Sequence, residues 1–148
     1  MSTMTPDEDD YIDDQELRIA SVFNTKEVPE VSKETLKIYQ QYLLDNLDNK
    51  VVCVGTEDFP WEERYVIGGY DQQEYERLKK TQLSYTDKCQ LINILLDDDY
   101  TDNDLIATVK RLSDGKQFKI ELSWLEVVDA ECKSHEILSD FSVWAVNW

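Results

Sequence analysis

Hydrophobic and polar positions along this chain follow two rhythms, one helical and one alternating. In EVPEVSKETLKIYQQYLLDNLDN (27–49), Leu36, Tyr39, Leu43 and Leu47 recur at steps of three and four residues, with Ile38 and Tyr42 widening the stripe. That spacing predicts an amphipathic helix whose apolar stripe is core packing rather than a cofactor site. Ser32 is placed to cap its start, Glu34 suits the positive end of the helix dipole, and Asp48-Asn49 marks the stop. Upstream, LRIASVFN (17–24) predicts one or two further helical turns.

VVCVG (51–55) and CQLINILL (89–96) are short, rich in β-branched or apolar residues, and read as buried strands. The segment DLIATVKRLSDGKQFKIELSWLEVVD (104–129) alternates on both sides of Asp114-Gly115, the pair expected at a two-residue hairpin turn. That turn places Val109 opposite Ile120, Ala107 opposite Leu122 and Leu105 opposite Trp124 on one core face. On the other face Lys110 would oppose Lys119, and two facing lysines call for a carboxylate from elsewhere to cover them. Between the strands, residues 56–88 are interrupted by Pro60 and Gly68-Gly69, and DQQEYERLKK (71–80) predicts a short exposed helix. In the closing SDFSVWAVNW (139–148), the alternation of Phe141, Val143 and Ala145 allows a final strand, while the length leaves a short helix open. Two tryptophans there argue for a docked end. The expected architecture is α+β: an N-terminal helix packed on a small, mostly antiparallel sheet or half-open barrel.

Charge changes this picture at the N-terminus. MSTMTPDEDDYIDDQE (1–16) holds seven acidic residues and no basic one, with too few apolar side chains to fold around, so residues 1–16 read as a disordered acidic arm and 17–148 as one domain. Over all 148 residues the net charge is −17. Such a field favours a soluble monomer, repels nucleic acid and attracts cations or basic surfaces. The three cysteines, Cys53, Cys89 and Cys132, have no metal-ligand spacing and read as buried thiols of a reducing compartment. With no signal-peptide pattern and no membrane-length apolar run, a cytoplasmic protein is expected.

Catalytic chemistry finds little support. The single histidine, His135, sits in ECKSHEIL without a triad context, and there is no Gly-rich phosphate loop, H-E-x-x-H or C-x-x-C. The chain is expected not to be an enzyme. The densest chemical feature is LLDDDYTDND (95–104), which puts Asp97, Asp98, Asp99, Asp102 and Asp104 on one connection between two predicted strands. Clustered carboxylates with loop carbonyls suit calcium, a hard ion taking six to eight oxygen ligands. An EF-hand is excluded: counting from Asp97 puts Asp102 where the turn glycine belongs and Thr108 where the bidentate glutamate belongs. Counting from Asp99 puts Lys110 in that last position. A site without the preformed turn would bind weakly. The residues leave equal room for a solvated acidic loop that guards a strand edge.

An ordered set of features resembles the small acidic calcium-binding proteins first described in cyanobacteria, the CcbP family. YQQYLLDNL leads into the strand VVCVG, CQLINILL runs into the acid-rich DDDYTDND, the strand pair ends in ELSWLEVVD, and LSDFSVWAVNW closes the chain. The closing pattern rests on Asp140, Phe141, Val143, Trp144 and Asn147, with Ala145 where the family has an aromatic residue. The resemblance spans residues 36–148, departs from the family in NKVVCVG, and leaves 56–86 as an enlarged insertion. It implies low-affinity calcium binding in a non-EF-hand α+β domain that serves as an intracellular buffer or sensor. The implied carboxylates are Asp97, Asp98, Asp99, Asp102 and Asp104, with Glu57 and Asp58 a weaker set. The alternative is an acidic decoy or immunity-type protein that inhibits a basic partner by mimicking DNA or acting as a toxin antidote; Trp61 could serve it as an exposed anchor, although a core Trp beneath a loop is the more ordinary reading.

Overall fold

A computed structural model describes residues 13–68, 71–96 and 104–148. Helix α1 (Asp14–Val22) is capped by Asp13, whose side chain accepts the Glu16 N–H at 2.8 Å. Residues 14–16, expected within the acidic arm, are therefore helical: an acidic residue followed three positions later by Glu is a helix start, and the two charges suit its positive end. Residues 1–12 lie outside the described residues. Helix α2 (Lys33–Asn46) begins at the expected cap, with Ser32 and Thr35 exchanging backbone-to-side-chain bonds. Leu36, Tyr39 and Leu43 are buried along it. Ile38, expected to widen the stripe, is 48% exposed.

Strand β1 (Val52–Gly55) is followed by two short helices, α3 (Glu63–Ile67) and α4 (Gln72–Leu78), and then by β2 (Cys89–Leu95), β3 (Ile106–Arg111) and β4 (Gln117–Glu121). A three-residue 3-10 turn, Leu122–Trp124, leads into β5 (Leu125–Val127), and α5 (Lys133–Asn147) ends the chain. All pairings are antiparallel, in the order β4-β3-β2-β1-β5. The last strand of the hairpin and its sequence neighbour thus occupy opposite edges of the sheet. Only three residues join them, so the sheet must curl until its edges approach, although no ladder closes them. The result is the half-open barrel anticipated from sequence.

Inside the curve lie Cys53, Cys89, Ile94, Ala107, Val109, Ile120, Leu125 and Val127. A bulge between Leu91 and Asn93 lets Leu91 and Ile94, three apart, face the same side opposite Val109 and Ala107. Helices α1, α2 and α5 fill the concavity with Ile19, Tyr39, Leu43, Leu138, Phe141 and Trp144, all fully buried. The alternation at the C-terminus resolves as a helix because Ser134, Ile137, Leu138, Phe141 and Trp144 share one buried face. The segment expected as an insertion is integral to this core, supplying Phe59 and Leu83. Gly55 is required where it lies, since a Cβ there would come within 2.6 Å of Tyr85 Cβ.

The hairpin differs from expectation by two residues. Ala107 pairs with Ile120 and Val109 with Phe118. The Arg111 N–H reaches the Lys116 carbonyl and the Gly115 N–H reaches the Arg111 carbonyl, each at 2.8 Å, so the loop has four residues, 112–115. Gly115 supplies the positive φ, +77°. Lys110 consequently faces Gln117, and Lys119 faces Thr108. Trp124 leaves the strand altogether, and the Leu122 N–H bonds the Leu105 carbonyl instead at 2.8 Å.

Candidate metal centre

The acid-rich stretch joins β2 to β3, whose last pair toward it is Leu95 with Ile106. Asp97, Asp98, Asp99 and Asp102 lie outside the described residues. Asp104 is described, and only 6% exposed. Its Oδ1 accepts the Leu105 and Ser123 N–H groups at 2.7 and 3.2 Å, and its Oδ2 takes the Ser123 hydroxyl. Burial pushes its carboxyl up to about 6, against the opposing pull of these hydrogen bonds. Asp104 therefore ties the end of the acidic stretch to the 3-10 turn that follows β4.

The same turn reaches the weaker set. The Trp124 carbonyl, next to Ser123, accepts the Thr56 N–H at 2.9 Å, which brings the end of β1 alongside. Glu57, Asp58 and Glu63 line a hollow of about 370 Å³ with Thr56, Pro60 and Trp124. Among the described residues, no three His, Cys, Asp or Glu side chains converge in a way that could hold a metal ion.

Two buried charges were not foreseen, because nothing in their local sequence separates them from solvated neighbours. Glu62 is fully buried, and its Oε2 accepts the Phe59 and Tyr85 N–H groups at 3.1 and 2.8 Å. Its Oε1 accepts the Tyr75 and Ser84 hydroxyls at 2.8 and 2.7 Å. These four donors make it the knot that binds α3 and α4 to the loop before β2. Arg111, 3% exposed, donates to Asp114, to Asp87 and to the carbonyls of Lys79, Lys80 and Gln82. Asp114 first, then Asp87, holds this guanidinium charged, and Asp114 is in turn lowered to about 2.

Of the remaining candidates, Trp61 is not a free anchor: its indole N–H bonds the Leu83 carbonyl at 2.8 Å and its ring packs near Tyr65 and Tyr75. His135 lines a surface hollow of about 510 Å³ at the start of α5, in which Arg18 is gripped by Asp140 at 2.8 Å. Cys53 and Cys89 are buried free thiols. No helix of the described residues is long and apolar enough to cross a membrane.

Fold and site together define an α+β half-barrel that carries a carboxylate-rich connection between two of its central strands. A search of solved structures finds this architecture in the crystal structure of Anabaena CcbP, with a TM-score of 0.54 over 97% of this chain and 94% of that one, at 17% identity. The likeness extends past residues 36–148 to the N-terminal helices, and the chain has a CcbP-like fold. No family model and no curated protein sequence matches the chain.

Proposed function

We propose that this protein binds calcium at low affinity through the carboxylates of the β2–β3 connection, acting as a calcium buffer or sensor. The observation that carries the proposal is the anchorage of that connection: β2 and β3 fix it by the Leu95–Ile106 pair, and Asp104 fixes its end on Ser123. The sequence places Asp97, Asp98, Asp99 and Asp102 between these two anchors, with Asp104 at the second. Confinement of like charges raises their repulsion, and a divalent cation relieves it. Fold likeness to CcbP and the resemblance of the acidic motif to the CcbP family support the same reading. In this scheme Asp97, Asp98, Asp99 and Asp102 supply ligands, and Asp104 sets the end of the loop. The chain's own chemistry is then oxygen donation, with no catalytic step.

The test is calorimetric titration and thermal melting with calcium against magnesium, in moderate monovalent salt, on the parent chain and on the triple variant Asp98→Asn, Asp99→Asn, Asp102→Asn. The expected result is a saturable calcium response that magnesium does not reproduce and that the triple variant loses while keeping its fold. Equal, shallow responses to both ions would mean simple screening of a −17 chain and would end the proposal.

A further inference from the structure

The half-barrel has an open seam. One lip is β4, an edge strand with β3 as its one sheet partner. Arg111 with Lys116 and Leu105 with Leu122 are hydrogen-bonded positions of the β3–β4 hairpin, so the intervening residues Gln117, Lys119 and Glu121 turn their N–H and C=O groups outward. The groups of Gln117 and Lys119 lie open along this edge, while the Glu121 carbonyl is engaged by the 3-10 turn that it opens. The other lip is formed by residues 59–61 and 81–83. Between the lips runs a groove of about 410 Å³ lined chiefly by Phe59, Pro60, Trp61, Leu83, Phe118 and Trp124. Next to the groove-lining Thr81, the Lys116 ammonium bonds the Lys80 carbonyl at 2.9 Å.

The surroundings of Lys116 are cationic in an acidic molecule. Lys80, Lys88, Lys110, Lys116 and Lys119 are all exposed and form no ion pair among the described residues. The Leu112 N–H bonds the Lys88 carbonyl at 3.0 Å, and Lys110 extends over Gly115, so the five surround one hairpin tip. Sequence led to the expectation of a carboxylate between Lys110 and Lys119, and the altered register removes the need for one while leaving both lysines on the outer face near the groove's rim. At physiological salt the Debye length is about 8 Å, so an approaching segment responds to these lysines more than to the distant net charge.

We propose that the seam binds an extended, carboxylate-rich segment of a partner protein by strand addition to β4. The partner backbone pairs with Gln117, Lys119 and Glu121, an apolar or aromatic side chain enters the groove, and flanking carboxylates meet Lys80, Lys116 and Lys119.

The probe is a synthetic peptide of about eight residues, Asp-Asp-Glu-Tyr-Ile-Asp-Glu-Asp, titrated into the isotopically labelled full chain. Binding should shift and protect the Gln117, Lys119 and Glu121 amides, weaken as salt is raised, and fall at least ten-fold in Lys116→Glu/Lys119→Glu. It should also fall for the same peptide with alternate backbone nitrogens methylated. Both substituted lysines are exposed, so the variant's unchanged amide spectrum elsewhere serves as the folding control. No shift at millimolar peptide, shifts that avoid β4, or equal binding of the methylated peptide would each overturn the proposal. Salt-sensitive self-association that the lysine variant abolishes would overturn the assignment to a foreign partner in favour of a second copy of this chain.

Discussion

The guanidinium of Arg111, at the base of the four-residue loop, grips the carboxylate of Asp114 within it by two bonds, Nε to Oδ1 at 3.1 Å and Nη2 to Oδ2 at 2.8 Å. Asp114 Oδ1 also accepts the Lys116 N–H at 3.0 Å, so the pair sets the loop length and, through it, the hairpin register. Because Arg111 also reaches Asp87 and three carbonyls of the 79–82 segment, it pins the α3–α4 region to the hairpin.

Replacing Arg111 by Met leaves Asp87, Asp114 and those carbonyls without their donor. Because both carboxylates are partly exposed, the loss should fall below that of a fully buried pair, at about 1–3 kcal/mol in a denaturant titration. Arg111→Lys should recover little, since one ammonium cannot span both carboxylates and three carbonyls. A variant as stable as the parent would show that the network is not structural.

Asp104 predicts a pH dependence. Burial pushes its carboxyl up to about 6, above the ordinary carboxylate range, so the folded state holds the proton more tightly. Its protonated form therefore favours folding fully below about pH 4, and that contribution is lost as pH rises through 6, by at most on the order of 3 kcal/mol. Asp104→Asn should remove this component, flattening the melting temperature against pH between about 4 and 6. An unchanged profile would exclude Asp104 as its source.

Glu62 should separate two substitutions. Glu62→Leu strands four buried donors and should cost about 3 kcal/mol or more. Glu62→Gln should cost less, because the Tyr75 and Ser84 hydroxyls can rotate and accept from the new amide. Hydrogen exchange over residues 59–86 would report the loosening, and equal costs for the two variants would count against this account.

The thiols should divide by burial. Desolvation, the leading cause, pushes Cys53 up to about 12 and Cys89 up to about 11, and both are shielded by the sheet. Cys132 is partly exposed at the start of α5. A thiol reagent at neutral pH should modify one cysteine in the native protein and the other two only on unfolding. Rapid modification of all three would contradict the packing around β1 and β2.

Local pattern determined α2, β1, β2, the hairpin and the acidic connection, because a 3.6- or 2-residue period and a capping Ser or a turn Gly are written in consecutive residues. It also allowed the α1 start, since Asp13 and Glu16 form a helix-opening pair, and the α5 face, since Ser134, Ile137, Leu138, Phe141 and Trp144 recur at helical spacing. Dense acid surrounds the first, and the face of the second begins at Ser134, upstream of the closing ten residues. The hairpin register slipped by two, an even number, so the core face survived the error.

Only tertiary structure decided the rest. Asp104, Glu62 and Arg111 look like any other charged residues in a chain with 32 acids and 15 bases, and become buried because donors and acceptors from distant segments converge on them. The separation of β4 and β5 to opposite edges, and the seam this leaves, follows from the curl of the whole sheet. Burial and strand order are properties of what a residue packs against, and the sequence by itself determined the elements but not their neighbours.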